Sequence, residues 1–111
     1  MSVGKKQPVM LIVTGTLSVS PHDLSRFIAG VGDMAAVVRN RSGNLAYDIA
    51  VLDAAEGRVL VAERWRDEAA LAAHLRDEQT TAFLSRWATR LQGEVRVFDT
   101  VNERRLEAVG C

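Results

Sequence analysis

The chain has 111 residues, and its 14 basic and 14 acidic side chains cancel. That length makes one domain with a modest core, and the neutral balance excludes a broad basic surface for nucleic acid. The longest apolar stretch, Pro8 to Val13, is far too short to span a bilayer.

The N-terminal stretch Met1 to Lys6 is followed by an apolar run without a small-residue cleavage site, so a strand is expected there and not a signal segment. The single cysteine, Cys111, cannot form a disulfide within the chain, which fits a reducing compartment; a soluble cytoplasmic protein is the expectation. Val9 to Leu17 is rich in Val, Ile, Leu and Thr and predicts a first strand. Ser20-Pro21-His22-Asp23 predicts a helix start, with Ser20 as cap, Pro21 in the first helical position and Asp23 completing a capping box. Leu24, Phe27, Ile28, Val31, Met34, Ala35 and Val38 then recur at three- and four-residue spacing, one apolar stripe on one helix. Arg39 and Arg41 fall in its last turn, where positive charge suits the helix dipole, and Gly43 ends it.

Leu45 to Leu52 predicts a second strand, Asp53 to Gly57 a turn of hairpin length, and Val59 to Trp65 a third strand. Asp67 is expected to cap a short helix to Leu75. Asp77 is expected to cap another to about Leu91, with Phe83, Leu84, Trp87, Ala88 and Leu91 on one side. Gly93 separates this from a last strand, Glu94 to about Val101, and the remainder is polar. The order β-α-β-β-α-β is the ferredoxin-like α+β arrangement, one domain with its core at about 8–103 and a polar tail at 104–111. The strands are apolar on both sides: Leu11 and Val13 alternate with Met10 and Ile12, and Leu45, Tyr47, Ile49 and Val51 with Ala46, Asp48, Ala50 and Leu52. A sheet with one solvated face alternates more cleanly, so a symmetric homodimer packed sheet to sheet is expected.

One corner concentrates chemistry. A strand ends on Trp65, a cap follows, and the next helix carries His74 on the face of Leu71 and Leu75. If both rings face one crevice, the chain has a small apolar pocket with a titratable group. Imidazole titrates near neutrality, so His74 is a candidate general base or hydrogen-bond donor; the blander alternative is a half-buried histidine bonded to a neighbour such as Glu63. Glu63 shares the strand face of Val59, Val61 and Trp65 and needs a partner: it orients His74 or pairs with an arginine such as Arg96. The Trp65 N–H is a donor for a substrate carbonyl, or the ring is a core or interface aromatic; the Tyr47 hydroxyl meets substrate or lies on the sheet face. Phe27, Leu71, Phe83 and Trp87 would form walls and Asn44 a polar point, although helical spacing alone makes Phe83 and Trp87 core residues. His22, in a first helical turn, is expected at the surface. No Cys/His/Asp set has metal-ligand spacing, no glycine-rich loop follows a strand, and no Ser-His-Asp triad assembles, so no metal site is expected.

Gly43-Asn44-Leu45-Ala46-Tyr47, Glu63-Arg64-Trp65-Arg66-Asp67-Glu68-Ala69-Ala70-Leu71, His74-Leu75 and Ala82-Phe83 resemble the antibiotic biosynthesis monooxygenase family over roughly Val9 to Val101. They are similar to that family's glycine-to-tyrosine strand start, Glu-x-Trp strand end, helix-borne histidine and phenylalanine of the last helix. The resemblance implies a dimeric α+β barrel and a monooxygenase that works without metal, flavin or other cofactor. The implied reaction oxidises an aromatic polyketide-type phenol, anthrone or quinol to a quinone with O2. His74 and Trp65 would be catalytic, Tyr47, Asn44, Phe27, Leu71, Phe83 and Trp87 would bind substrate, and Glu63 would orient. The partners implied are a second copy of the chain, a small aromatic substrate and O2, with neither nucleic acid nor membrane. Some positions depart from the family. Gln79 stands where a second histidine is common, and His74 and Leu84 stand where the haem-degrading branch has its tryptophan and iron-binding histidine, which speaks against haem degradation. Val61 and Ala62 replace polar groups of the anthrone-oxidising members. The alternatives are a non-catalytic small-molecule-binding or partner protein on the same frame, and a cofactor-free cyclase or isomerase.

Overall fold

Four β-rich segments pair into one antiparallel sheet in the order β2-β3-β1-β4, and the helices between them lie on one face. The computed structural model describes residues 9–107; Pro8, the N-terminal stretch before it and Cys111 lie outside the described residues. The elements are β1 (Leu11–Ser18), α1 (Leu24–Val38), β2 (Asn44–Asp53), β3 (Arg58–Trp65), α2 (Glu68–Arg76), α3 (Glu78–Trp87) and β4 (Gln92–Asp99), with a single 3₁₀ turn at Pro21–Asp23. This is the ferredoxin-like α+β fold, with its second helical segment in two pieces.

Register decides which residues meet the helices. Directly opposed residues share a face. Val13 pairs with Glu63 and Val97, Leu11 with Trp65, and Tyr47 with Glu63. The helix-covered face therefore carries Leu11, Val13, Val59, Val61, Glu63, Trp65 and Tyr47, most of them buried against the stripe Leu24, Phe27, Val31, Met34, Ala35 and Val38 of α1. The β2–β3 register shifts between Asn44 and Ala46 and again between Val51 and Asp53. Leu45 and Leu52, the residues passed over, are exposed, so the apolar alternation of β2 covers less core than its sequence suggests. The opposite sheet face carries Ile12, Ala46, Ala62, Leu60 and Phe98 among Thr14, Asp48 and Arg64. Phe98 is 49% exposed and Leu60 38%.

The helix boundaries differ from expectation at two places. Neither Ser20 nor Asp23 forms a side-chain cap. Pro21 opens a 3₁₀ turn in which Asp23 N–H donates to the Ser20 carbonyl at 2.8 Å, so the donor that a capping hydroxyl would use is already taken. Asp23 instead pairs with Arg26 and lies 3.8 Å from Arg90. The last helix stops at Trp87 and not near Leu91, because Arg90 and Leu91 N–H both fold back onto the Trp87 carbonyl, at 2.8 and 3.1 Å. That turn delivers Gln92 opposite Ser18 and starts β4. The two aspartate caps form as expected: Asp67 accepts from Ala70 N–H at 2.9 Å and Asp77 from Gln79 N–H at 2.8 Å.

β4 approaches β1 at a point that only glycine permits. A Cβ on Gly15 would fall 2.1 Å from the Glu94 carbonyl oxygen and 2.7 Å from the Val95 Cα. Gly15→Val is expected to lose about 1–3 kcal/mol, the usual range for overpacking, because β4 must move away. A urea midpoint unchanged by the substitution would contradict this close approach.

Candidate functional site

The corner that ends β3 does bring the indole and the imidazole together. Trp65 is fully buried, and the Asp67 cap turns the chain at once into α2, whose inward face carries Leu71 and His74. The His74 ring lies over Trp65, with centroids 4.6 Å apart and planes inclined by 32°, and Tyr47 stands 6.1 Å away at 68°. Trp65 forms a support and not a wall: it has no exposed surface, and its Nε1–H donates to Glu63 Oε1 at 2.9 Å. The space between the two rings is filled by their own contact.

His74 is held from behind. Its Nδ1 lies 2.7 Å from Arg41 Nη1. A guanidinium has only donors, so Nδ1 is the acceptor and the neutral ring carries its proton on Nε2. The same Nη1 donates to Thr80 Oγ1 at 2.8 Å, and Nη2 donates to Asp77 Oδ1 at 2.7 Å. One arginine from the loop after α1 thereby ties α2, the Asp77 break and α3 together. Burial and, behind it, the Arg41 charge push the His74 pKa down to about 4, against the opposing pull of Asp77. The ring is neutral at pH 7.

Above this layer is a cavity of about 290 Å³, at the small end of the roughly 300–1,000 Å³ range of small-molecule pockets. Its walls are apolar: Val13 and Val61 from the sheet, Phe27 and Met34 from α1, Leu71 from α2, Phe83 from α3, and Val95 and Val97 from β4. Four polar side chains reach it: Tyr47, Glu63, His74 and Thr80. Thr80 is engaged by Arg41. Among the described residues no buried side-chain nitrogen or oxygen lacks a partner. Among the described residues His74 Nε2, the Tyr47 hydroxyl and Glu63 Oε2 have no hydrogen-bond partner, so each keeps open surface, on side chains that line the cavity. Burial, and secondarily the Glu63 charge, raise the Tyr47 pKa to about 12, so its hydroxyl keeps its proton. Burial also raises the Glu63 pKa, against the Trp65 N–H, which favours the carboxylate.

Of the residues expected in the pocket, Phe27, Tyr47, Glu63, Leu71, His74 and Phe83 line it. Trp65, Asn44 and Trp87 do not. Asn44 Nδ2 donates to the Ala46 carbonyl at 3.1 Å and braces the β2 register shift. Trp87 packs edge-on against Phe27, centroids 5.1 Å apart, with Arg26 and Arg90 over its ring at 5.8 Å. Glu63 neither orients His74 nor meets Arg96, which pairs with Glu94 at 2.8 Å. Sequence reasoning missed Arg41, Asp77 and Thr80 as parts of the site. Arg41 lies dozens of positions from its partners, beyond any local spacing. Thr80 left a usable signal: it sits one turn before Phe83 and two before Trp87, a hydroxyl on an otherwise apolar helix face. Among the described residues no cluster of His, Cys, Asp and Glu could hold a metal ion, and no helix is long and apolar enough to cross a membrane.

The depressed His74 pKa has a consequence for stability. Between the unfolded value near 6.5 and the folded value of about 4, the unfolded chain binds the extra proton and the folded chain does not. The contribution is complete above pH 6.5 and is lost as pH falls toward 4, with a slope of up to about 1.4 kcal/mol per pH unit. Urea denaturation from pH 7 to 4 should show His74→Gln to be less acid-sensitive than the wild type over this window. Parallel curves would place the ring in contact with solvent.

The antibiotic biosynthesis monooxygenase family profile matches residues 10–86. No curated protein matches the chain. Among solved structures, a proposed antibiotic biosynthesis monooxygenase from Caulobacter crescentus CB15 is 26% identical, with a TM-score of 0.77 over 86% of this chain and 92% of that one. Another from Deinococcus radiodurans is 19% identical, with a TM-score of 0.78 over 86% and 97%. Rv0793 from Mycobacterium tuberculosis is 21% identical, with a TM-score of 0.75 over 86% and 99%. The profile spans most of the chain and takes in β1 through α3, including the corner that carries Glu63, Trp65 and His74, and the chain belongs to the antibiotic biosynthesis monooxygenase family.

Proposed function

We propose that the chain is a cofactor-independent monooxygenase that oxidises an aromatic polyketide-type phenol, anthrone or quinol to a quinone. Membership of the family supports a general monooxygenase-like role. The observation that carries the finer reading is an apolar cavity lined by both a neutral imidazole with its proton on Nε2 and a protonated tyrosine, their ring centroids 6.1 Å apart. Two uncharged donors in a dry site favour an oxygen on which negative charge develops. An anthrone or phenol that loses a proton becomes such an anion. It can then pass an electron to O2, and recombination at carbon followed by loss of water gives the quinone. For an anthrone the balance is one methylene and one O2 to one carbonyl and one water, so the substrate itself supplies the electrons. His74 acts as donor to the substrate oxygen and not as its base. Arg41 is a positioning residue that keeps the proton on the cavity side of the ring, and Trp65 supports His74 and holds Glu63.

The second copy expected for the sheet is part of this proposal. Exposed Leu60 and Phe98, with half-buried Ile12 opposite Phe98, give the outer face an apolar surface of the kind that a self-complementary contact covers. Light scattering should give twice the chain mass for the wild type and a shift toward monomer for Phe98→Asp; a monomeric wild type would contradict the pairing.

Oxygen uptake with a panel of anthrones, naphthols and quinols tests the activity. Uptake should match quinone formation one to one for at least one class, and His74→Ala should lower kcat by about 10²–10³-fold, the usual cost of removing one oxyanion donor. Absence of turnover across the panel, or an unaffected His74→Ala, would overturn the reading.

A further inference from the structure

Three polar groups reach the cavity with an open atom, and their chemistry is not equivalent. His74 has its Nδ1 taken by Arg41 and its proton on Nε2, so at neutral pH it can give a hydrogen bond but has no open lone pair for a proton. Tyr47 holds its hydroxyl proton in a buried setting. Of the three, Glu63 alone remains as a group that can take up a proton. Its position is set by register: on β3, directly opposite Tyr47 of β2 and Val13 of β1, on the helix-covered face. Trp65 N–H fixes Oε1 at 2.9 Å, and among the described residues Oε2 has no hydrogen-bond partner.

The surroundings of Glu63 are those of a functional carboxylate and not of a structural ion pair. Among the described residues it joins no salt bridge; the arginines that form ion pairs do so with Asp23, Asp48, Asp67, Asp77 and Glu94 instead. The titratable groups facing it are Tyr47 from β2 and His74 from α2, with Arg41 and Asp77 behind His74. β1, β4, α1 and α3 offer Val13, Val97, Phe27 and Phe83 around the same space. A carboxylate held on one oxygen, desolvated, and without a counter-charge is a costly arrangement with no structural return, and such groups concentrate where protons are transferred. One carboxylate base and two neutral donors for an oxygen are the parts needed to remove a proton from carbon conjugated with a carbonyl.

We propose that Glu63 is the proton acceptor of the site, and that without any oxygen the chain catalyses reversible enolisation of a carbonyl-bearing polycyclic substrate of the anthrone type. The carboxylate takes a proton from the ring methylene. The C–H electron pair enters the conjugated ring system, and the carbonyl pair moves onto oxygen, which accepts from His74 Nε2–H and Tyr47 O–H. The carboxylic acid then returns the proton, or in D2O a deuteron, and nothing is oxidised or reduced. This assignment rests on the reading that the cavity receives such an aromatic, and is independent of what O2 does afterwards.

The test is hydrogen–deuterium exchange at the methylene of anthrone, followed by proton NMR in D2O under argon with the intact chain. The wild type should accelerate exchange over buffer, with an acid limb set by a carboxylate titrating above its ordinary range. Glu63→Gln, which keeps an acceptor for Trp65 N–H, should lose about 10²–10⁴-fold and return toward background. Glu63→Asp should keep part of the rate, and its wild-type-like urea midpoint would separate chemistry from folding. His74→Gln should slow exchange yet leave the acid limb in place. Exchange by Glu63→Gln at the wild-type rate, an acid limb that disappears with His74, or no acceleration by the wild type would each overturn the assignment. Exchange under argon without oxygen uptake in air would uphold Glu63 and defeat the monooxygenase reading. Oxygen uptake indifferent to Glu63→Gln would do the reverse.

Discussion

The contact between the Arg41 guanidinium and His74 Nδ1 is the constraint on which the site depends. It joins the loop after α1 to α2, and through Thr80 and Asp77 the same side chain reaches α3. Three segments that share little backbone hydrogen bonding are thereby held around one cavity. The contact also sets chemistry, because a donor on Nδ1 leaves the ring neutral and places its proton on Nε2. Burial is the largest influence on the imidazole; the Arg41 charge adds to it and Asp77 opposes it.

The sheet contributes position, and the helices contribute dryness. Antiparallel pairing places Tyr47 and Glu63 opposite one another and puts both on the covered face. Trp65 then serves two neighbours at once, its ring beneath the imidazole and its N–H on the carboxylate. The Glu-x-Trp strand end thus has a physical meaning: side chains two apart on a strand lie on one face, so the indole can orient the carboxylate that precedes it. The helices cover β1, β2 and β3 more fully than β4, whose Val95 and Val97 line the cavity while remaining partly exposed.

Most of the fold was legible in the sequence, because its signals are local. The α1 stripe, the Asp67 and Asp77 caps and the turn at Gly57 each rest on residues a few positions apart. The failures have equally specific causes. A capping box at Ser20 is overridden by the 3₁₀ turn that Pro21 starts. The register shifts at Leu45 and Leu52 arise from pairing with β3 and leave no pattern in β2 alone. Within the site, period-two reasoning placed Glu63 on the correct face, yet its partner is Trp65, two positions on along that same face, and neither His74 nor Arg96. His74 was visible as a candidate while its role was not, since its tautomer is set by Arg41 from a distant segment. Asn44 and Trp87 look like site residues by position and are instead a backbone brace and a core ring.

His74 is thus a neutral hydrogen-bond donor whose tautomer is imposed by Arg41. Imidazole nitrogen-15 NMR of the intact chain measures this directly. The spectrum should show an Nε2–H neutral ring at pH 7, with the His74 midpoint near 4 and well below that of a free histidine. An Nδ1–H ring, or a midpoint near 6.5, would contradict it.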